Sequence, residues 1–346
     1  MLRRLFALAI LLAAAGAPAA ARAEVHIADP WPDAAATGIA GQPVSFASLS
    51  PFDLRRIPEA REHPTRTEAT LFLPPGEHAP ASVPAVVFLH GASGVLAARE
   101  LTYGRQLAAM GIAALAIDTY GSRRDMASSF LERVMNITET MFVADAYAGL
   151  AFLAKRPEID PGRVVLTGFS YGAMATTFAM YRQLADALAP DGPRFAAHVA
   201  FYGPCIAHFD DDRTTGAPLL MLQGADDQLL DPQRCAALAD ELRAGGSAVG
   251  IIRYPGAVHQ WDGAFARRLI GRNLAPCRFD VERNGVVRDG HTGLPMSNAF
   301  LRKVILGLCV GGPYPIGRDD QVRLRADRDY GRFLARVFAG AAHPLD

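Results

Sequence analysis

The 346-residue chain has no excess of either charge, with 35 Lys and Arg against 35 Asp and Glu. Nucleic acid and anionic membrane surfaces are held by strongly basic faces, so neither partner is expected. Cysteine is scarce. Cys205, Cys235, Cys277 and Cys309 are the four present, none at Cys-x-x-Cys spacing, and no histidine-rich tract accompanies them, so neither a zinc site nor an organic cofactor is expected. The run Asp210-Asp211-Asp212 reads as a solvated turn rather than a cation site. There is no internal repeat, and the Ala-rich start holds only a short apolar run, Leu5 to Ala15, below the roughly 20 residues that span a bilayer. Arg3 and Arg4 precede that run and Ala21-Arg22-Ala23 follows it, so residues 1–23 are expected to be a removed signal peptide, with no stable membrane insertion afterwards. The remaining chain would be mildly negative and periplasmic or secreted, where an even cysteine count suggests two disulfides.

What is present is 50% hydrophobic residues against 20% charged, enough for a large core. Residues 24–41 read as a surface arm. Strands follow at Gln42 to Leu49, Thr67 to Leu73, Ala85 to Leu89, Ile112 to Ile117, Arg163 to Thr167, Phe195 to Phe201, Pro218 to Leu222 and Val249 to Tyr254. Helical spacing fills Leu96 to Met110, Thr138 to Lys155, Ala173 to Leu188 and Pro232 to Ala244. Short continuous apolar runs alternating with helices predict an α/β fold, a mostly parallel sheet of about eight strands covered on both faces, with ligand sites at the strand carboxyl ends.

Those ends carry the reactive residues. Gly168-Phe169-Ser170-Tyr171-Gly172 joins a strand to a helix through a glycine-flanked turn and resembles the nucleophile elbow of α/β-hydrolases. In such folds an acid and then a histidine follow the serine in chain order. Asp226-Asp227 and His259 stand at the next two relevant strand ends, so Ser170 reads as nucleophile, His259 as its base and one of the two aspartates as the group that orients His259. The oxyanion hole would combine the N–H of Tyr171 with that of Ala92, in the loop His90-Gly91-Ala92-Ser93-Gly94; His90 reads as a side chain that orients this loop.

Leu89-His90-Gly91-Ala92-Ser93-Gly94, Asp118 with Arg123, Gly168-Phe169-Ser170-Tyr171-Gly172, Gly224-Ala225-Asp226-Asp227 and Pro255-Gly256-Ala257-Val258-His259 together resemble the dienelactone hydrolase family of α/β-hydrolases, over about Thr67 to Trp261. The resemblance implies an eight-stranded sheet, a Ser- or Cys-based triad, and hydrolysis of small carboxylic esters or lactones without a cofactor. It implies Asp227 as the acid, because the family places it three residues after the glycine that Gly224 matches. Members proper use cysteine as nucleophile; Ser170 points instead to esterase-like relatives. A carboxylate-recognising role for Arg123 is implied in the same way.

Residues 24–270 are thus expected to form the hydrolase domain, with 271–346 a cysteine-bearing extension packed on it, as in exported relatives. Within the extension, Arg278 to Arg288 reads as a hairpin around Asn284-Gly285, and Ser297 to Leu308 and Asp319 to Phe338 as helices. Tyr120, Arg123, Tyr202 and Trp261 all follow strand ends and are expected pocket residues. Cys205 and Cys235 lie near one sheet edge and Cys277 and Cys309 both lie in the extension, so Cys205–Cys235 and Cys277–Cys309 are the expected bonds. Two other readings share these motifs: a prolyl-oligopeptidase-like peptidase, which would usually bring a large gating domain that the short segment before the first strands does not supply, and a non-catalytic binding protein on the same fold. Nothing in the sequence fixes an oligomeric state.

Overall fold

A computed structural model describes residues 25–345, so the expected signal peptide at 1–23 lies outside the described residues. The first half contains β1 (Gln42–Ser48), α1 (Ile57–Glu62), β2 (Thr65–Phe72), β3 (Val83–Leu89), α2 (Thr102–Ala109), β4 (Ala113–Asp118), α3 (Phe130–Asn136), α4 (Glu139–Ala154) and β5 (Ile159–Phe169). There follow α5 (Tyr171–Phe178), α6 (Arg182–Leu188), β6 (Ala197–Phe201), β7 (Ala207–Phe209), β8 (Leu219–Gly224), α7 (Pro232–Ala244) and β9 (Val249–Tyr254). β10 (Arg268–Ile270) closes the expected hydrolase domain, and the extension holds β11 (Phe279–Val281), β12 (Val287–Asp289), α8 (Ala299–Cys309), β13 (Tyr314–Ile316) and α9 (Asp320–Ala339).

Among the described residues eight strands form the main sheet in the order β1-β2-β4-β3-β5-β6-β8-β9. β2 runs antiparallel to both neighbours, and the pairs from β4 through β3, β5, β6 and β8 to β9 are parallel. Every residue of β3, β6 and β8 is buried, which explains their mostly apolar sequences, with His198 in β6 and Gln223 in β8 as the polar exceptions: both sheet faces are covered by helices. The central strands therefore end at one carboxyl edge, and the loops there face one another.

Two expected elements differ. Ala173 to Leu188 is two helices, because main-chain pairing of Met180 and Arg182 with the segment Arg213–Thr215 opens the helix between Phe178 and Arg182. The expected surface arm is pinned rather than free: Trp31 is buried between Tyr103 and Tyr330, each ring 5.6 Å away.

The extension is tied to the rest of the chain at several points. β11 adds in parallel to β7 in a small sheet apart from the main one, and α9 packs on the main sheet with Tyr330 Oη 2.8 Å from Thr167 Oγ1 on β5. Both disulfides form as expected, Cys205–Cys235 in the preceding domain and Cys277–Cys309 within the extension. On α9, Asp327 accepts a hydrogen bond from Tyr103 Oη at 2.7 Å. Burial pushes the Asp327 carboxyl up to about 7, against the opposing influence of Arg323 and that hydrogen bond. The folded protein thus keeps a proton that an unfolded carboxyl releases near pH 4, so the stability contributed is full below about pH 4 and lost as pH rises through about 7. Asp327→Asn should flatten the decline of Tm across that window, and an unchanged slope in thermal melts would contradict the assignment.

Candidate active site

Three strand ends converge. Ser170 lies between β5 and α5 with φ 54° and ψ −112°, a backbone conformation that non-glycine residues rarely adopt. Its N–H donates to the Phe201 carbonyl at 2.9 Å. The flanking glycines permit the turn: a Cβ on Gly168 would lie 2.2 Å from the Gly172 carbonyl oxygen, and one on Gly172 would lie 2.3 Å from the Leu89 carbonyl oxygen. Strand, helix and the loop after β3 therefore pass each other at backbone contact.

The Ser170 hydroxyl donates to His259 Nε2 at 2.8 Å, and His259 Nδ1 donates to Asp227 Oδ2 at 2.7 Å. A carboxylate facing Nδ1 fixes the tautomer, leaving Nε2 as the acceptor for the serine proton. Asp227 and His259 side chains are fully buried. The Leu229 N–H donates to the second Asp227 oxygen at 2.9 Å. Asp226 is exposed, and its N–H bonds the Ala257 carbonyl. Of the two adjacent aspartates, the geometry brings only Asp227 to the histidine.

Three features around His259 were not legible in the sequence. Tyr202 sets its ring across the imidazole at 4.8 Å and donates its hydroxyl to Asp262 at 2.5 Å, while Arg99 Nη1 donates to Tyr202 Oη at 3.3 Å. Burial raises the Asp262 carboxyl, with Arg99 opposing. The extension then clamps the loop: Gly317 N–H donates to the His259 carbonyl at 2.9 Å, Arg318 N–H to Phe265 at 2.8 Å and Asp319 N–H to Trp261 at 2.9 Å. Third, Arg302 of α8 is buried, pairs with both oxygens of Glu139 at 2.5 and 3.0 Å and donates to Tyr171 Oη at 3.2 Å, fastening α8 to the residue after the elbow serine.

A cavity of about 440 Å³ adjoins Ser170, Tyr171 and Ala92. None of the four expected pocket residues lines it. Tyr120 is buried against His90 and Phe142, Arg123 gives both guanidinium ends to Asp145 at 2.7 and 2.9 Å, Tyr202 is taken up as above, and Trp261 is enclosed by Tyr202 and Tyr254. Following a strand end is not sufficient, because these side chains turn back into the core. With its charge spent on a buried carboxylate, Arg123 has no access to a ligand. His90 has the loop-orienting place expected of it, with Nδ1 donating to the Gly91 carbonyl at 2.7 Å and Nε2 accepting from Tyr120 N–H at 3.4 Å.

The cavity walls come from α3, α8 and β13, as Leu131, Val134, Met135, Leu306, Val310 and Tyr314. The sequence did carry a signal for α3: Ser129-Phe130-Leu131-Glu132 is a capping box, and both of its reciprocal hydrogen bonds form. Because Cys309 ends α8, the Cys277–Cys309 bond borders the site next to Val310, as Cys205–Cys235 does next to Pro204. Each bond closes a loop of about thirty residues, worth roughly 3 to 4 kcal/mol in the chain-entropy treatment. The double replacement Cys277→Ser with Cys309→Ser should lower Tm by several degrees and also raise KM; a lowered Tm with unchanged KM would show that α8 needs no such fastening.

A mostly parallel eight-stranded sheet with a strand–serine–helix elbow, and an acid and a histidine at later strand ends, defines an α/β-hydrolase. The dienelactone hydrolase family profile matches residues 68–271, more than half of the chain. The chain belongs to that family. A Methylorubrum extorquens protein that carries a provisional carboxymethylenebutenolidase name is 26% identical over 170 residues, 45% of this chain and 55% of that protein, so the match spans little more than half of the relative's length. Among solved structures, a Klebsiella pneumoniae protein described as a dienelactone hydrolase gives a TM-score of 0.46 at 21% identity, covering 64% of this chain and 88% of its own. Esterase 2 of Thermogutta terrifontis, solved with propionate bound, gives 0.45 at 18% identity, covering 56% and 80%.

Proposed function

We propose that the protein is a periplasmic or secreted serine hydrolase that cleaves a small carboxylic ester or lactone through an acyl-enzyme. The observation that carries this reading is the chain of hydrogen bonds from Ser170 Oγ to His259 Nε2 and from His259 Nδ1 to Asp227 Oδ2, at the edge of a cavity and in the order the family uses. His259 takes the serine proton as Oγ attacks the ester carbonyl. Oxyanion charge falls to the N–H groups of Ala92 and Tyr171; Tyr171 opens α5, where the first N–H groups have no partner within the helix. The C–O bond to the alcohol breaks as His259 returns the proton to the departing oxygen. Water, deprotonated by the same histidine, then attacks the acyl-serine; the imidazolium returns that proton to Ser170 Oγ as the acyl C–Oγ bond breaks, freeing the acid and restoring the enzyme. Asp227 holds the tautomer and stabilises the imidazolium throughout.

No step in this sequence draws on a metal or organic cofactor. Residues 271–346 serve as a wall of the same domain, and the two disulfides suit export to an oxidising compartment. Mixing the enzyme with excess p-nitrophenyl acetate should release a burst of about one equivalent of p-nitrophenol per chain before the steady state, the fingerprint of a covalent acyl-enzyme whose hydrolysis is slower than its formation. Absence of any p-nitrophenol release would remove the ester reading.

A further inference from the structure

We infer that the cavity beside Ser170 is an acyl-chain site that selects esters of medium-length apolar acids, with its outer wall supplied by the extension; this rests on the ester-hydrolase reading above. At about 440 Å³ the cavity is far larger than an acetyl group requires. Taking a methylene at the ~30 Å³ share of a water molecule, there is room for a chain on the order of ten carbons. Its lining next to Ser170 is apolar: Val134, Met135, Leu229, Leu306, Val310 and Tyr314. The charged members of the lining, Arg272 and Lys303, are both exposed to solvent.

The lining also bears on which half of an ester lies there. The cavity is bounded by the nucleophile and by both oxyanion-hole residues, Ala92 and Tyr171, so an ester carbonyl held by those groups sits at its wall and the chain on the carbonyl carbon extends directly among the apolar residues.

Gly307 marks the site most specifically. It sits within α8, where glycine is unfavourable relative to alanine, yet a Cβ built there would meet no atom within 4 Å. Gly307 is exposed and stands in the cavity lining, so a larger side chain there is free to extend over the cavity without displacing any neighbour. All of α8 and all of β13 lie beyond the family match, which ends at residue 271, so the outer wall that sets chain length would come from the extension and not from the matched region.

The test is a series of p-nitrophenyl esters from acetate to dodecanoate. The expected result is kcat/KM rising roughly two- to fourfold per methylene, as apolar burial dictates, to a maximum near octanoate or decanoate. Gly307→Leu, which fills the open space with a better helix former, should lower the octanoate-to-acetate ratio of kcat/KM by at least about tenfold. Leu131→Asp, at the second position of α3 where an acid suits the helix N-terminus, should lower the same ratio severalfold by setting a carboxylate in the lining. Acetate hydrolysis with a flat or falling chain-length profile, or both variants keeping the wild-type ratio, would overturn this inference and leave the ester reading standing. No hydrolysis anywhere in the series would overturn both.

Discussion

Ser170→Ala should lower kcat on any accepted ester by on the order of 10⁴ to 10⁶ while leaving the fold intact. The size follows from the serine being the atom that becomes acylated; what remains is the modest acceleration from binding and the oxyanion donors. The fold should survive because nothing that enforces the elbow depends on Oγ. The positive φ of Ser170 is held by the close approach of Gly168 and Gly172 and by the Ser170 N–H bond to Phe201, all of which alanine retains. A melting temperature near that of the wild type with kcat reduced to background is the expected pair of results. If the variant kept more than about a tenth of its activity, another residue would have to be the nucleophile.

The second large effect separates two neighbours in the chain. Asp227→Asn should cost roughly 10⁴ in kcat, and Asp226→Asn little. Asp227 accepts from Leu229 N–H through one oxygen and from His259 through the other. In the asparagine variant the amide oxygen can keep the Leu229 bond only by turning its NH₂ towards Nδ1. The imidazole must then carry its proton on Nε2, facing Ser170 with a donor where an acceptor is required. Asp226 makes its contact to Ala257 through its backbone N–H, which any residue other than proline supplies. Steady-state kinetics of the two variants decide it: equal losses, or a larger loss for Asp226→Asn, would contradict the geometry.

The legible part of this protein was the part dictated by backbone geometry. Continuous apolar runs such as Ala85 to Leu89 announced the central strands because strands covered on both faces favour apolar side chains throughout. Gly168 and Gly172 announced the elbow because a side chain at either would strike backbone. Tyr120, Arg123, Tyr202 and Trp261 were misplaced because order along the chain says which residues reach the carboxyl edge but not which way their side chains turn. The cavity itself is built by segments far apart in sequence. α3 and α8 meet over the elbow, and Arg302 reaches Glu139 across 163 positions, a contact without local signature. Gly307, without a neighbour to force it, looked like any other glycine until its surroundings were seen.

The most direct test of the central claim is labelling of the intact protein with a fluorophosphonate, followed by peptide mass mapping. Stoichiometric phosphonylation of the peptide containing Ser170, abolished in Ser170→Ala and suppressed in Asp227→Asn, is the predicted result. A protein that folds, retains both disulfides and takes up no label, or takes it up at a serine other than Ser170, would contradict it.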